Sequence, residues 1–131
     1  MKKSGILNPA VSRVLASTGH TDTIVVTDAG LPIPQNVERI DLALIENVPR
    51  FLDVLKVVIG ELEVEKIILA EETQKVSPAM YSEIMKLFPG VPVETMPHVE
   101  FKKKTRECRA AIRSGEFTSY ANVILVAGVV Y

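Results

Sequence analysis

The stretch that decides the fold runs from Gly19 to Pro34 and reads GHTDTIVVTDAGLPIP. Its centre, Thr23–Thr27, is short, rich in β-branched residues and apolar in its middle, which predicts a strand covered on both faces. His20 lies on the turn before this strand. Asp28 lies on the loop after it, where two prolines and a glycine exclude regular structure. Because loops at the ends of rigid elements commonly carry functional residues, we expect chemistry at this strand.

Helix and strand patterns alternate on both sides of this strand. Asn8 and Pro9 are favoured at a helix start and Gly19 at a helix end, so a first helix is expected between them. The alternation continues along the chain and predicts one three-layer α/β/α domain over residues 1–131, with a central, mixed sheet of about six strands. Further helices are expected to begin at Pro49, Ser77–Pro78 and Pro97, and further strands at 38–44, 66–70, 91–96, 110–113 and 122–127.

Composition narrows the class of protein. Of the 131 residues, 47% are hydrophobic, 5% are aromatic and none is tryptophan, so the core must be aliphatic. A small domain this apolar is expected to bury part of its surface in an oligomer. The formal net charge of −1 gives no reason to expect nucleic acid or a membrane surface as a partner.

Several kinds of site are excluded by the pattern of reactive residues. The single cysteine, Cys108, excludes an internal disulfide and a cysteine-cluster metal site. The two histidines lack the HExxH spacing, and no P-loop, GxGxxG or GxSxG pattern is present. We therefore expect no metal and no nucleotide cofactor. The apolar runs are too short for a signal peptide or a membrane span, so a cytoplasmic protein is expected.

His20 is the first candidate for acid/base chemistry, because a histidine side chain can transfer protons near neutral pH. Asp22, two residues further on, could orient its ring. The alternative is a surface histidine that neutralises the end of the first helix, and the spacing does not choose between the two. Asp28 is either a ligand for sugar hydroxyls or a cap for the amides of the following turn, and caps of this kind are common.

Two further groups of candidates lie near the C-terminus. Alternation at a strand entrance predicts that Tyr120 and Asn122 share one face, with Ala121 on the other. A phenol beside an amide can donate to and accept from hydroxyl groups, although a buried tyrosine and a turn-forming asparagine fit the pattern equally well. His98, in the first turn of the last helix, is either a polar group of the same pocket or an ordinary helical residue, and the ordinary interpretation is favoured.

Other charged and polar residues receive structural interpretations. Glu71–Glu72 is interpreted as a solvated edge of a loop, since neighbours on a strand point to opposite faces. Lys102–Lys104 is interpreted as a solvent-facing charge run on a helix. Cys108, which has no CxxC partner, is expected to be a small buried hydrophobe.

Five segments are specific in combination, although any one of them alone would be a weak signal. They are Lys2–Asn8, Gly19–Asp22, Asp28–Pro32, Arg113–Asn122 and Ala127–Val129. Together they resemble the bacterial D-ribose pyranases, whose superfamily also contains the fucose mutarotases. The resemblance covers essentially the whole chain, and the motifs fall in the same order at both ends. The middle of the chain, from about 48 to 93, matches mainly in length and pattern.

The resemblance implies an isomerase that interconverts the pyranose and furanose forms of free D-ribose without a cofactor. Matched motif by motif, His20 would be the proton donor, and Asp28, His98 and the Tyr120–Asn122 unit would bind the sugar. Ser119 stands where the family has proline, which leaves the Tyr-Ala-Asn unit intact. The family forms homodecamers of two pentamers with sites near subunit boundaries, so self-association is expected here.

Three alternatives stay open at this point. A fucose-type mutarotase would exchange the anomers of a 6-deoxy sugar with the same kinds of residue. A non-catalytic module that presents ribose to a transporter or kinase would need no proton carrier. An interaction scaffold without a small-molecule site would make the grouping of His20, Asp28 and Tyr120–Asn122 accidental.

Overall fold

A computed structural model describes all residues, 1–131. Six strands form a single sheet, and helices connect most of them. In chain order the elements are α1 (Pro9–Ser17), β1 (Thr23–Thr27), β2 (Glu38–Asp41), α2 (Phe51–Ile59), β3 (Val64–Ala70), α3 (Glu71–Val76), α4 (Pro78–Leu87), β4 (Val93–Met96), α5 (His98–Lys104), a 3₁₀ turn (Thr105–Glu107), β5 (Ala110–Arg113) and β6 (Val123–Ala127).

The sheet is mixed, with the strand order β2-β5-β1-β6-β3-β4. β6 runs antiparallel to both of its neighbours, β1 and β3, whereas the other paired strands are parallel. The α/β class and the mixed sheet of about six strands are therefore confirmed. Because β6 is antiparallel to β1, the start of β6 lies beside the end of β1, and this arrangement places the polar residues of two distant segments together.

Alternate residues of the central strands enter two separate cores. In β1, Ile24 and Val26 pack on one face of the sheet against α1, α2 and α4, whereas Val25 packs on the other face with Phe101 of α5. Complete burial of such a side chain contributes roughly 1.5–3 kcal/mol. The apolar character of β1 is thus explained by helices on both faces, as the strand pattern predicted.

Two predicted helix boundaries are wrong. α1 is capped at its start by Asn8, whose side chain accepts the N–H of Val11. Its last residue is Ser17, and the capping residue Thr18 that follows is extended, so Gly19 is not a left-handed cap. The positive φ of this turn falls instead on Thr21, at 67°. α2 begins at Phe51 rather than at Pro49, because the carbonyl of Pro49 accepts the N–H of Gly115 and is held outside the helix.

Three strand and loop predictions also differ from the structure. β2 ends at Asp41 rather than at residue 44, because the chain turns back on itself where the N–H of Leu44 bonds to the carbonyl of Val48. β4 begins at Val93, two residues later than predicted. Glu71 and Glu72 form the first turn of α3 and not a loop edge. No helix combines the length and the apolar character that crossing a membrane would require.

Candidate active site

A cavity of about 600 Å³ opens where β1 ends and β6 begins. Three segments line it: the loop after β1, the first turns of α5, and the loop that connects β5 to β6. Asp28, His98, Tyr120 and Asn122 all line this cavity. The structure thus brings together four of the residues that the sequence singled out, although they are up to 94 positions apart in the chain.

Asp28 and Asn122 form a buried pair at the bottom of this region, with 9% and 1% of their surfaces exposed. The side-chain nitrogen of Asn122 donates to Oδ2 of Asp28 over 3.0 Å, and its oxygen accepts the backbone N–H of Asp28 over 2.9 Å. Oδ1 of Asp28 accepts the N–H groups of Gly30 and Leu31 at 3.0 and 2.9 Å. Asp28 therefore does cap its turn, but through Oδ1, and Oδ2 keeps capacity to accept a further hydrogen bond.

Burial raises the pKa of the Asp28 carboxyl above its ordinary value. The backbone N–H groups of Gly30 and Leu31, the Asn122 amide and the nearby His98 lower the pKa and partly offset that effect. A carboxylate held in this way has a fixed orientation, since both of its oxygens have partners.

His98 begins α5, and its half-buried ring faces Tyr120 edge-on with 4.9 Å between the ring centroids. Burial is the main cause that lowers the pKa of His98, followed by the charge of Lys102, whereas Glu72 and Asp28 raise it. The lowered pKa favours a neutral ring, which offers one N–H donor and one acceptor nitrogen. Nδ1 is buried without a hydrogen-bond partner.

Tyr120 lies in the cavity for a reason that differs from the predicted strand alternation. The strand begins only at Val123, and Tyr120 adopts a left-handed conformation with a φ of 61°. Its carbonyl accepts the N–H of Asn122 over 2.9 Å, which closes a tight turn just before the strand. Ala121 is fully buried in the aliphatic core and does not line the cavity. Tyr120 and Asn122 are thus the two side chains of the unit that reach the cavity.

His20 lies away from this cavity, at the other end of β1. A strand of five residues spans roughly 16 Å, so the His20 and Asp28 side chains of one chain lie beyond opposite ends of β1. Nε2 of His20 is 2.8 Å from Oε2 of Glu65, and 52% of the His20 side chain is exposed. The expectation that Asp22 orients His20 is wrong, because Asp22 accepts hydrogen bonds from the N–H of Gly19 and the guanidinium of Arg109 instead.

Sequence reasoning missed three charged residues of the cavity wall. Lys102 lies four residues after His98, on the same face of α5, and this spacing could have identified it. Nη1 of Arg113 donates to both carboxylate oxygens of Asp41 at 3.0 Å. Nε of Arg113 donates to the carbonyl of Ala29. Glu116 is 2% exposed, and no local sequence pattern indicates its burial.

The remaining reactive groups have no role in this cavity. Cys108 is buried, as predicted, and burial raises the pKa of its thiol to about 11. A thiol with such a pKa is a poor nucleophile at neutral pH. No group of three or more His, Cys, Asp or Glu side chains is arranged to hold a metal ion.

Comparison with known proteins identifies the family. The family model described as the RbsD / FucU transport protein family matches residues 1–130. The D-ribose pyranase of Coprothermobacter proteolyticus is 50% identical over 131 residues, which cover the whole of both chains. The chain belongs to the RbsD / FucU family. The resemblance found in the sequence motifs is thereby confirmed.

Two solved structures are similar to this chain to different degrees. The structure of Bacillus subtilis RbsD complexed with D-ribose superposes with a TM-score of 0.97, at 46% identity and with complete coverage of both chains. The fucose mutarotase of Streptococcus pneumoniae, solved in complex with L-fucose, gives a TM-score of 0.81 at 20% identity over 95% of each chain. The second similarity shows the common fold alone, whereas the first extends to nearly half of the residues.

Proposed function

We propose that the protein is an isomerase that interconverts the pyranose and furanose forms of D-ribose by acid/base ring opening and reclosure. The observation that carries this proposal is the convergence of Asp28, His98, Tyr120 and Asn122 on one cavity. A carboxylate, a neutral imidazole, a phenol and an amide together supply donors and acceptors for several sugar hydroxyls. The relatives named D-ribose pyranase and the ribose complex of Bacillus subtilis RbsD support the choice of sugar.

The chemistry of a hemiacetal explains why these groups suffice. Opening the pyranose requires the anomeric hydroxyl to lose a proton and the ring oxygen to gain one. Closing the furanose requires the C4 hydroxyl to lose its proton as it attacks the aldehyde, while the carbonyl oxygen gains one. Positioned acid/base groups contribute about 10²- to 10⁴-fold to such steps. We propose that His20 supplies the proton at the ring oxygen while Asp28, His98, Tyr120 and Asn122 hold the hydroxyls.

For His20 to act in this way, a second copy of the chain must supply it. Within one chain the length of β1 separates the His20 ring from the cavity, so both cannot contact the same sugar. His20 is nevertheless well placed to enter a neighbouring cavity, because it is exposed and the carboxylate of Glu65 orients its ring. We therefore propose that each site combines His20 of one copy with the cavity of the next.

Exposed apolar side chains at the cavity mouth support such an assembly. Phe117 lines the cavity with 62% of its surface exposed, and its N–H donates to the side chain of Asn47. Leu44 and Ile45, on the adjoining turn, are 77% and 67% exposed. Exposed apolar side chains grouped in this way are typical of a protein–protein interaction site. The homodecamer of two pentamers, the cytoplasmic location and the single-domain organisation of residues 1–131 stay predictions.

The test of the reaction is NMR exchange spectroscopy on D-ribose, L-fucose and D-galactose with the wild-type protein. We expect faster exchange between ribose pyranose and furanose signals, and a much smaller effect on the other sugars. Preferred exchange of fucose anomers would identify a fucose-type mutarotase. Ribose binding without faster exchange would identify a non-catalytic binding module, and an absence of binding would leave an interaction scaffold.

The test of the shared site is complementation between two inactive variants, His20→Ala and Asp28→Asn. When the two are co-refolded, about a quarter of the sites in a randomly mixed ring combine two intact halves, so partial activity should return. The matched control mixes Asp28→Asn with Tyr120→Phe, which alter the same cavity and should not complement. A His20 that acted within its own chain would give no recovery in either mixture.

A further inference from the structure

The short helix α3 contacts two separate walls of the cavity although it does not line the cavity itself. Oε2 of Glu72 accepts the backbone N–H of His98 over 2.8 Å. The hydroxyl of Thr73 donates to the carbonyl of Tyr120 over 2.9 Å. Just after the helix, the hydroxyl of Ser77 donates to the carbonyl of Ser119 over 2.7 Å. Three side chains of one segment thus bond to the backbone of His98, of Tyr120 and of Ser119, the residue before Tyr120.

Thr73 is the buried member of this set, with 0% of its surface exposed. The carbonyl to which it donates belongs to a residue with a φ of 61°, a conformation that is uncommon for a tyrosine and must be maintained by its surroundings. The same carbonyl accepts the N–H of Asn122, whose side chain holds Asp28. The Thr73 hydroxyl therefore stabilises the turn from which the Tyr120 and Asn122 side chains reach the cavity.

Glu72 contacts the other wall through the first N–H of α5. This N–H has no partner within the helix, so the carboxylate satisfies it and sets the position at which His98 enters the helix. The negative charge of Glu72 also raises the pKa of His98, against burial and against the positive charge of Lys102. Glu72 thus affects both the place of the ring and its protonation.

We propose that Thr73 and Glu72 are positioning residues for the reaction, and that α3 sets the placement of the Tyr120 and His98 rings relative to each other and to the sugar. This inference rests on the proposed function for its catalytic readout, but the contacts that carry it lie outside the cavity. The interpretation of Glu71–Glu72 as a solvated loop edge missed the role of Glu72, because the sequence does not show which backbone groups the side chains of α3 meet.

The first test compares Thr73→Val with Thr73→Ser. Valine keeps the shape of threonine and removes the hydroxyl, whereas serine keeps the hydroxyl and removes the methyl group. We expect Thr73→Val to raise the KM for D-ribose about 10-fold with a much smaller change in kcat, because the displaced Tyr120 and Asn122 bind the sugar more weakly in all states. Thr73→Ser should stay within about 2-fold of the wild type in KM.

A purely structural role for Thr73 would change these results. Partial unfolding would lower kcat in proportion to the active fraction and leave KM unchanged, and thermal unfolding would report it directly. Equal KM values in the valine and serine variants would overturn the proposed role of the hydroxyl. Ser77→Ala repeats the comparison at the exposed end of the segment. Its matched control is Ser12→Ala, because the hydroxyl of Ser12, in α1, also donates to a backbone carbonyl, that of Ile6.

The second test needs no catalysis and compares Glu72→Gln with Glu71→Gln. Both remove one negative charge from α3, but Glu71 pairs with Lys75 and does not contact His98. The charged and titratable groups that face His98 are Asp28, Glu72, Lys102 and the Tyr120 phenol. In an NMR titration, Glu72→Gln should lower the pKa of His98 clearly further than Glu71→Gln does.

The two tests separate the failure of this inference from the failure of the proposed function. If the wild type does not accelerate ribose exchange, the function is wrong, and the His98 titration still decides whether Glu72 acts on that ring. If the wild type is active but the His98 titration is the same in both glutamine variants, the role of Glu72 is overturned while the function stands.

Discussion

The two ends of β1 carry polar residues in opposite environments. At its C-terminal end, Asp28 and Asn122 are buried and bonded to each other and to backbone groups. At its N-terminal end, His20 is half exposed and pairs with Glu65 on the surface. The buried end has its polar partners within one chain, whereas His20 at the exposed end is, in our proposal, supplied to the cavity of a second copy. The two ends of β1 thus differ in burial and in the number of partners that fix their polar side chains.

The largest effect is expected from the exposed end. His20→Ala should lower the ribose exchange rate about 10²- to 10⁴-fold, because it removes the proposed proton donor. Its thermal unfolding should be nearly unchanged, since the side chain is exposed and its ion pair is worth little. NMR exchange spectroscopy and calorimetry on the same sample measure both. A folded His20→Ala protein with full activity would remove His20 from the mechanism.

The next largest effect is expected at the buried end, where activity and stability should fall together. Asn122→Ala leaves the N–H of Asp28 and its Oδ2 without their partner, and each unsatisfied buried group costs about 1–3 kcal/mol in the free energy of unfolding. Urea unfolding measures this loss. Asn36→Ala, which removes an exposed bond to the carbonyl of Arg106, is the control and should cost less than about 0.5 kcal/mol. Equal costs would contradict the contrast between the two regions.

A smaller effect concerns the pH dependence of stability. The pKa of His98 is lowered in the folded protein, below its ordinary value of 6.5, so folding favours the neutral ring. The stabilisation from this ring is therefore complete above pH 6.5 and is lost as the pH falls through the lowered pKa. Between pH 7.5 and pH 5, the free energy of unfolding should fall more for the wild type than for His98→Gln. At the lower pH, roughly half or more of a free histidine is charged. An identical pH dependence in the two proteins would contradict this assignment.

The smallest effect is expected from Glu65→Gln. The exposed pair with His20 contributes about 0–1 kcal/mol, so the free energy of unfolding should hardly change. The exchange rate should fall only modestly, because glutamine carries no charge but can still accept the hydrogen bond that orients the His20 ring. The control is Lys66→Met, which removes a similarly exposed ion pair, that of Lys66 with Glu94. A large loss of stability in Glu65→Gln would mean that the His20 end is also structurally important.

Much of the fold was predictable from local signals. The apolar run of β1 indicated a strand with helices on both faces, and the Asn8–Pro9 pair indicated the start of α1, because both patterns depend on neighbours in the chain. The end of α1 and the start of α2 were wrong. In α2 the deciding interaction is a hydrogen bond from Gly115 to Pro49, which lies 66 positions away and leaves no trace in the local sequence.

The candidate site was predictable in its residue types but not in its arrangement. Asp28, His98, Tyr120 and Asn122 were identified because their side chains suit sugar hydroxyls, and the family motifs grouped them. Arg113 and Thr73 were missed, since a strand end and a buried threonine have no distinctive pattern. Lys102 was also missed, although its spacing from His98 on α5 could have identified it. Tyr120 was placed in the cavity for the wrong reason, because its left-handed conformation depends on contacts with α3.

The sequence by itself determined the α/β class, the aliphatic core on both faces of β1 and the family, because these depend on periodicity, composition and motifs that neighbouring residues carry. Only the tertiary structure decided that β6 runs antiparallel to β1. This direction brings Asn122 to Asp28 at one end of β1 and leaves His20 at the other end. Strand direction and register result from long-range packing and hydrogen bonds. The separation of His20 from the cavity is therefore a property of the folded chain.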